Sequence, residues 1–295
     1  MGKQLDFKLR YSGDVVVGKS ISIRTLGNTL PHFQRAIDKS VIFVENGEVV
    51  RKKGIARSSY SDADLMLEVL GEGSVVLPLW GRVKEESVKF FNWAITEPYD
   101  KAVHGDVRFN RDSQIETYKV RQKEKDIEEK SQRDLIQDDN KNKRRYARSA
   151  VLADVNSMFN VVRAPGERQI DLNVTKPGEE ANYVFNKQIA KNFSKIVATP
   201  YPTEPVIYKG KYNGYKQLGE KNGGFEVYVK SDYSDKVVHV FVKKVEELNL
   251  FTRMKNNDEV IFWASPIQRY GAFDVYSGSV IFIPGLFMRP ARKRR

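Results

Sequence analysis

The chain contains no cysteine, which excludes disulfides, thiolate nucleophiles, iron–sulfur clusters and cysteine-bound zinc together. Histidine is almost as scarce. His32, His104 and His239 stand far apart, none at the i, i+3 or i, i+4 spacing that offers two imidazoles to one metal. No stretch approaches the roughly 20 consecutive apolar residues that cross a bilayer, and Met1-Gly2-Lys3-Gln4-Leu5-Asp6 lacks the apolar core of a secretion signal. Gly-x-Ser-x-Gly, the nucleophile elbow of many hydrolases, does not occur either. These absences predict a cytoplasmic protein that is not an enzyme and has no metal, cofactor or membrane partner.

What is present is charge, with enough apolar material for real cores. A length of 295 residues favours two compact units over one. Hydrophobic residues make up 40% and aromatics 11%, while the 30% charged content stays short of a disordered composition. The net charge is +12, and Arg289-Pro290-Ala291-Arg292-Lys293-Arg294-Arg295 holds five of the positive charges, so body and tail are both basic. Such a surplus points to polyanions, because each phosphate met by Lys or Arg releases counterions. A solubilising surface with a frayed tail would look the same.

The hydrophobic pattern predicts an α+β protein. Leu5, Phe7, Leu9 and Tyr11 alternate with Asp6, Lys8 and Arg10, the period of a strand with one buried face. Asn28 to Ile37 offers a cap, an early Pro31 and apolar spacing at Leu30, Phe33, Ala36 and Ile37, which predicts a helix start. Leu65 to Leu70 and Ser74 to Trp80, joined by Gly71-Glu72-Gly73, read as a hairpin, and Lys84 to Thr96 as a helix.

Between Lys119 and Arg145 there are ten Lys or Arg and seven Asp or Glu, with no Gly or Pro, which predicts an exposed charged helix or arm or else a disordered insertion. A more apolar helix follows from Ser149 to Phe159, then a strand from Ile170 to Val174. The final third carries strand-like runs at Val206 to Leu218, Phe225 to Ser231, Val237 to Lys243, Glu259 to Ala264 and Ser279 to Ile283. A helical pattern at Lys244 to Lys255 lies between the third and fourth. That is the element order of a small five-stranded, OB-like β-barrel. The expected organisation is an N-terminal α+β domain over 1–110, a charged helical arm and connecting region over 111–200, and the barrel with its basic tail over 201–295.

Chemistry is harder to find. Gly13-Asp14-Val15-Val16-Val17-Gly18-Lys19-Ser20 satisfies the bare P-loop pattern, but a phosphate-cradling loop leaves a buried apolar strand and opens directly into a helix. Here the preceding strand carries Lys8 and Arg10, and Ile21-Ser22-Ile23 reads as another strand. Glu128-Glu129-Lys130, or Glu226 with Lys230, could be assembled into a nuclease site, although such pairs are expected by chance in so charged a chain.

The stronger constellation lies on the expected barrel. Lys209, Lys211, Tyr215, Tyr228, Lys230, His239, Phe241 and Lys243 fall at alternate positions of its first three strands. On one face they would bind nucleic acid, single- or double-stranded, by stacking rings on bases and setting ammonium groups against phosphates. The competing assignment buries those rings in the barrel or against the other domain. The cluster Lys143, Arg144 and Arg145 and the tail residues Arg292, Lys293 and Arg294 would add non-specific affinity.

The opening strand, the helix around Phe33-Gln34-Arg35-Ala36-Ile37, the hairpin at Gly71-Glu72-Gly73-Ser74-Val75-Val76, and the closing Ile261-Phe262-Trp263-Ala264-Ser265-Pro266-Ile267 and Tyr270-Gly271-Ala272-Phe273-Asp274 resemble an uncharacterised group of bacterial and phage-encoded proteins. The resemblance implies a prokaryotic or viral setting, with a role in host–phage conflict, and no site residues. Two functions remain in competition: a non-enzymatic nucleic-acid-binding protein, and an assembly component that meets protein partners or its own copies through the 111–148 arm.

Overall fold

The computed structural model describes residues 5–18, 20–49, 54–67, 75–81, 83–106, 111–123, 129–176, 179–219 and 223–288. In chain order its elements begin with β1 (Leu5–Gly13), β2 (Val16–Val17), β3 (Ser20–Ile21), α1 (Ile23–Asn46), β4 (Met66–Leu67), β5 (Val75–Gly81) and α2 (Glu85–Val103). There follow α3 (Arg111–Lys123), α4 (Gln132–Gln137), α5 (Asp139–Met158), α6 (Asn160–Arg163), β6 (Arg168–Lys176), β7 (Glu179–Asn186) and α7 (Lys187–Ala198). The remainder is β8 (Tyr201–Pro202), β9 (Val206–Gln217), β10 (Phe225–Ser231), β11 (Val237–Val242), α8 (Val245–Thr252), β12 (Glu259–Gln268) and β13 (Ser279–Met288). Two compact units result, Met1–Arg108 with Lys143–Thr199, and Phe109–Asn142 with Pro200–Arg295. The stretch expected as one connecting region, 111–200, is therefore shared between them.

The first unit is an antiparallel sheet ordered β4-β5-β1-β6-β7. Its alternation is the one expected from the sequence: Phe7, Leu9 and Tyr11 are fully buried, while Lys8 and Arg10 are exposed. Leu9 lies opposite Leu77 on one side and Leu172 on the other, so three strands present one apolar row to the helices. Phe7, Phe33 of α1 and Phe91 of α2 meet edge to face with centroids 5.4 to 6.3 Å apart. The outer edge of β7 is closed by Tyr99, whose hydroxyl accepts from the Val184 amide at 2.9 Å.

The start of the first helix departs from the sequence-based expectation. α1 starts at Ile23 rather than near Asn28, because the Ser22 hydroxyl caps it by accepting from the Thr25 amide at 3.1 Å. Pro31 consequently lies inside the helix, with Gly27 one turn before it. The P-loop pattern forms a short hairpin, with Val16 paired to Ile21 and Val17 to Ser20, and Lys19 lies outside the described residues. Gly13 has φ of +72°, and a Cβ there would sit 2.1 Å from the Glu167 carbonyl oxygen. Glycine is thus required at that position by a close backbone crossing, independently of any phosphate.

The second unit is a closed five-stranded barrel. β9, β10 and β11 form an antiparallel meander, β12 pairs with β9, and β13 closes the ring by pairing antiparallel with β12 and parallel with β11. With α8 between the third and fourth strands, this is the OB-like arrangement that the element order predicts. The interior takes Val227, Val229, Val238, Val240 and Val242 from the meander, and Phe251 of α8 meets Phe262 and Phe282 edge-on at 5.8 and 5.3 Å.

The charged segment is largely helical where described and belongs to this barrel unit through Asn142. Ile115 of α3 packs with Trp263, Ile281 and Ile283 on the outside of the barrel, and Leu135 of α4 packs against its core. Ahead of α4, the Ile207 amide donates to the Lys130 carbonyl at 2.8 Å. Gln132 is fully buried, donating to the Val275 carbonyl at 2.9 Å and bonded to the Ser231 hydroxyl at 2.6 Å. High charge here is compatible with burial because only a few apolar and amide groups per turn face inward.

Candidate nucleic-acid interface

Outward positions on β9, β10 and β11 form a small grid. In one row Lys216, Glu226 and Phe241 are cross-strand neighbours; in the next Tyr228 faces His239; in the third Lys211 faces Lys230, which faces Val237. Cross-strand partners share a sheet face, so these groups lie opposite the buried valines. Tyr228 and His239 pack edge to face at 5.4 Å, and the Lys216 ammonium stands 5.9 Å from the Tyr228 ring.

Glu226 is the middle member of the first row, on the central strand. Its carboxylate accepts from Lys216 Nζ at 2.7 Å and from the Tyr228 hydroxyl at 3.0 Å, and meets His239 Nδ1 at 3.2 Å. Burial pushes its pKa up, but the hydrogen bonds from Lys216, Tyr228 and His239 outweigh burial and hold it below the usual carboxylate range. Glu226 therefore stays ionised, and the same contact raises the pKa of Lys216.

Lys211 and Lys230 lie directly opposite one another, a like-charge pairing that costs stability unless an anion relieves it. Asp235 meets Lys230 at 2.9 Å, and Asp232 meets Lys209 at 3.4 Å. Both partners lie on the β10–β11 turn, leaving the sheet face itself dominated by cations and rings.

Several expected members stand elsewhere. Tyr215 is 48% exposed, but its cross-strand neighbour is the interior residue Val227, so it emerges at the barrel rim rather than within the grid. The cause is a β-bulge: Tyr212 pairs with Val229 and Tyr215 with Val227, so that Asn213 and Gly214 stand against Tyr228 alone, which reverses the alternation and puts Lys216 outward. Gly214, at φ of +97°, allows the bulge. Phe241 is half-buried and packs with the Ile115, Trp263, Ile281 and Ile283 cluster, so it borders the grid instead of offering an open ring. Lys243 is exposed and lies within electrostatic reach of Glu116 on α3.

Lys143, Arg144 and Arg145 are on α5 in the other unit. Lys143 meets Glu48 at 3.4 Å, and the Arg144 guanidinium covers the Trp93 ring at 4.2 Å, beside Arg148 at 5.0 Å. That cluster is engaged in its own fold. Arg292, Lys293 and Arg294 lie outside the described residues. Sequence reasoning missed Lys216 and the organising place of Glu226; a two-residue alternation cannot reveal a bulge, although Asn213-Gly214 was a local signal for one.

Among the described residues no group of His, Asp and Glu could hold a metal ion, and no helix is long and apolar enough to cross a membrane. No family model, no curated protein and no solved structure matches the chain.

Proposed function

We propose that this protein binds nucleic acid without acting on it chemically, and that the outer face of β9, β10 and β11 is the binding surface. The observation that carries the reading is the juxtaposition of the opposed Lys211–Lys230 pair with the Tyr228–His239 ring pair in the adjacent row. Phosphates answer the first and bases the second, because rings stack on bases at about 1–3 kcal/mol each while ammonium groups follow the backbone. The inward valines satisfy the core, so these outward groups are not needed to close the barrel. A setting in host–phage conflict follows only from the sequence resemblance and is part of the proposal.

The assembly reading places the arm against a partner. Ile115 and Leu135 face the chain's own barrel, which favours the nucleic-acid reading. A gel-shift comparison of the wild type with the double variant Tyr228→Ala, Lys230→Ala tests the proposal. Loss of about tenfold or more in affinity is expected from one stacked ring and one phosphate contact. An unchanged shift contradicts it.

A further inference from the structure

A surface selected only for phosphate has no use for an ionised carboxylate among its cations and rings, yet Glu226 stands there. Its surroundings suggest what it reads. A carboxylate offers about four acceptor positions, two on each oxygen. Three donors now approach them: Lys216 Nζ and the Tyr228 hydroxyl on Oε2, and His239 Nδ1 on Oε1. Lys216 is on the most exposed of the paired side chains, at 56%, against 42% for His239 and 20% for Glu226 itself. Moving the ammonium aside leaves one acceptor position open on each carboxylate oxygen, with a mobile cation next to them.

Of the bases, only guanine presents the complement on its Watson–Crick edge. It has two adjacent donors, N1–H and the N2 amino group, beside the acceptor O6. Uracil and thymine place a single donor between two carbonyls, cytosine has one amino group next to two acceptors, and adenine has one amino group next to a ring acceptor. Each of these leaves a carboxylate oxygen unpaired or sets a carbonyl against it, which costs affinity where polar groups are partly buried.

Resting on the nucleic-acid reading above, we propose that Glu226 and Lys216 form a guanine-reading pair: Glu226 Oε1 and Oε2 accept from N1–H and N2, Lys216 Nζ donates to O6, and the base stacks on the Tyr228 ring, to which His239 stands perpendicular. Edge reading of an unpaired, stacked base is open to single strands and closed to a duplex, whose Watson–Crick edges are occupied. Tyr228 and His239 also act as positioning residues for the carboxylate, since both hydrogen-bond it.

The test uses the full chain and single-stranded oligomers of about ten nucleotides, made in both ribose and deoxyribose series. All positions are uracil or thymine except a central one, which is guanine, hypoxanthine or again the pyrimidine, and affinity is read by fluorescence anisotropy. Hypoxanthine retains O6 and N1–H and lacks only the N2 amine. Guanine is expected to bind about tenfold more tightly than the pyrimidine, with hypoxanthine between them. In Glu226→Gln the guanine preference should collapse to within about twofold, because the amide replaces one acceptor with a donor. Equal affinity of the wild type for guanine and hypoxanthine oligomers, or a preference that survives in Glu226→Gln, overturns guanine reading while leaving nucleic-acid binding in place. Absence of binding to every oligomer overturns both. The hypoxanthine comparison in the wild type holds whether or not the variant folds.

Discussion

Replacing Asp154 with asparagine should destabilise the first unit and make its loss of stability in acid shallower. Asp154 on α5 is 7% exposed and faces two cations and an imidazole of α1: Lys39 Nζ at 2.5 Å, Arg35 Nε at 3.1 Å and His32 Nδ1 at 3.1 Å. Arg35 is half exposed, so water screens its share to a few tenths of a kcal/mol. Lys39 is 28% exposed, and breaking a well-buried pair costs about 3–5 kcal/mol, which partial access to water reduces to about 2–3 kcal/mol. For a unit of this size that corresponds to a fall of about 5–10 °C in Tm.

Burial raises the Asp154 pKa, but the hydrogen bonds from Lys39 and His32 outweigh it, and the folded value is lowered. A lowered folded pKa stabilises above the unfolded carboxylate value of about 4 and ceases to do so as pH falls through the folded value. Thermal melts followed by circular dichroism, at neutral pH and stepwise into acid, should show a gap between wild type and Asp154→Asn that closes below about pH 4. A variant that melts within about 1 °C of wild type at neutral pH, or a gap that widens in acid, would refute the reasoning.

Gly13→Ala should cost at least about 2 kcal/mol, because the backbone has φ of +72° and the new Cβ meets the Glu167 carbonyl oxygen at 2.1 Å; urea unfolding reads the loss, and a neutral result would contradict the close crossing. Gln132→Met keeps the volume but strips the Val275 carbonyl and the Ser231 hydroxyl of their buried partner, for a cost of about 2 kcal/mol. The loss should appear in the barrel unit's unfolding transition, and an unchanged midpoint would mean that the segment before α5 is not integral to the barrel.

The barrel was legible because its signal is local and repeated. Val227 and Val229, then Val238, Val240 and Val242, alternate inward, and α8 places Leu248 and Phe251 at helical spacing between the third and fourth strands. Lys211, Tyr228, Lys230 and His239 are outward for the same reason, being the odd members of that alternation. What failed to show had non-local causes. The bulge at β9 exchanges Tyr215 for Lys216, and the apolar cluster under α3 takes up Phe241. The segment expected as a free arm is held by Gln132 and Ile115, contacts that join residues more than a hundred positions apart and leave no periodic trace. α7 was overlooked although Asn186 caps it and Ala190, Phe193 and Ile196–Val197 carry a clear helical period.

The central claim is most directly tested by measuring affinity for a single-stranded oligomer across a salt series from about 50 to 200 mM. Lys209, Lys211, Lys216 and Lys230 supply the charge of the proposed face, three of them partly offset by Asp232, Glu226 and Asp235. At about −0.7 per phosphate neutralised on a single strand, log affinity should fall against log salt with a slope of about −2 to −3. Tyr228→Ala should weaken binding while leaving that slope in place, since a ring releases no counterions. Absence of binding at the lowest salt, or an affinity that does not change across the series, would contradict the account.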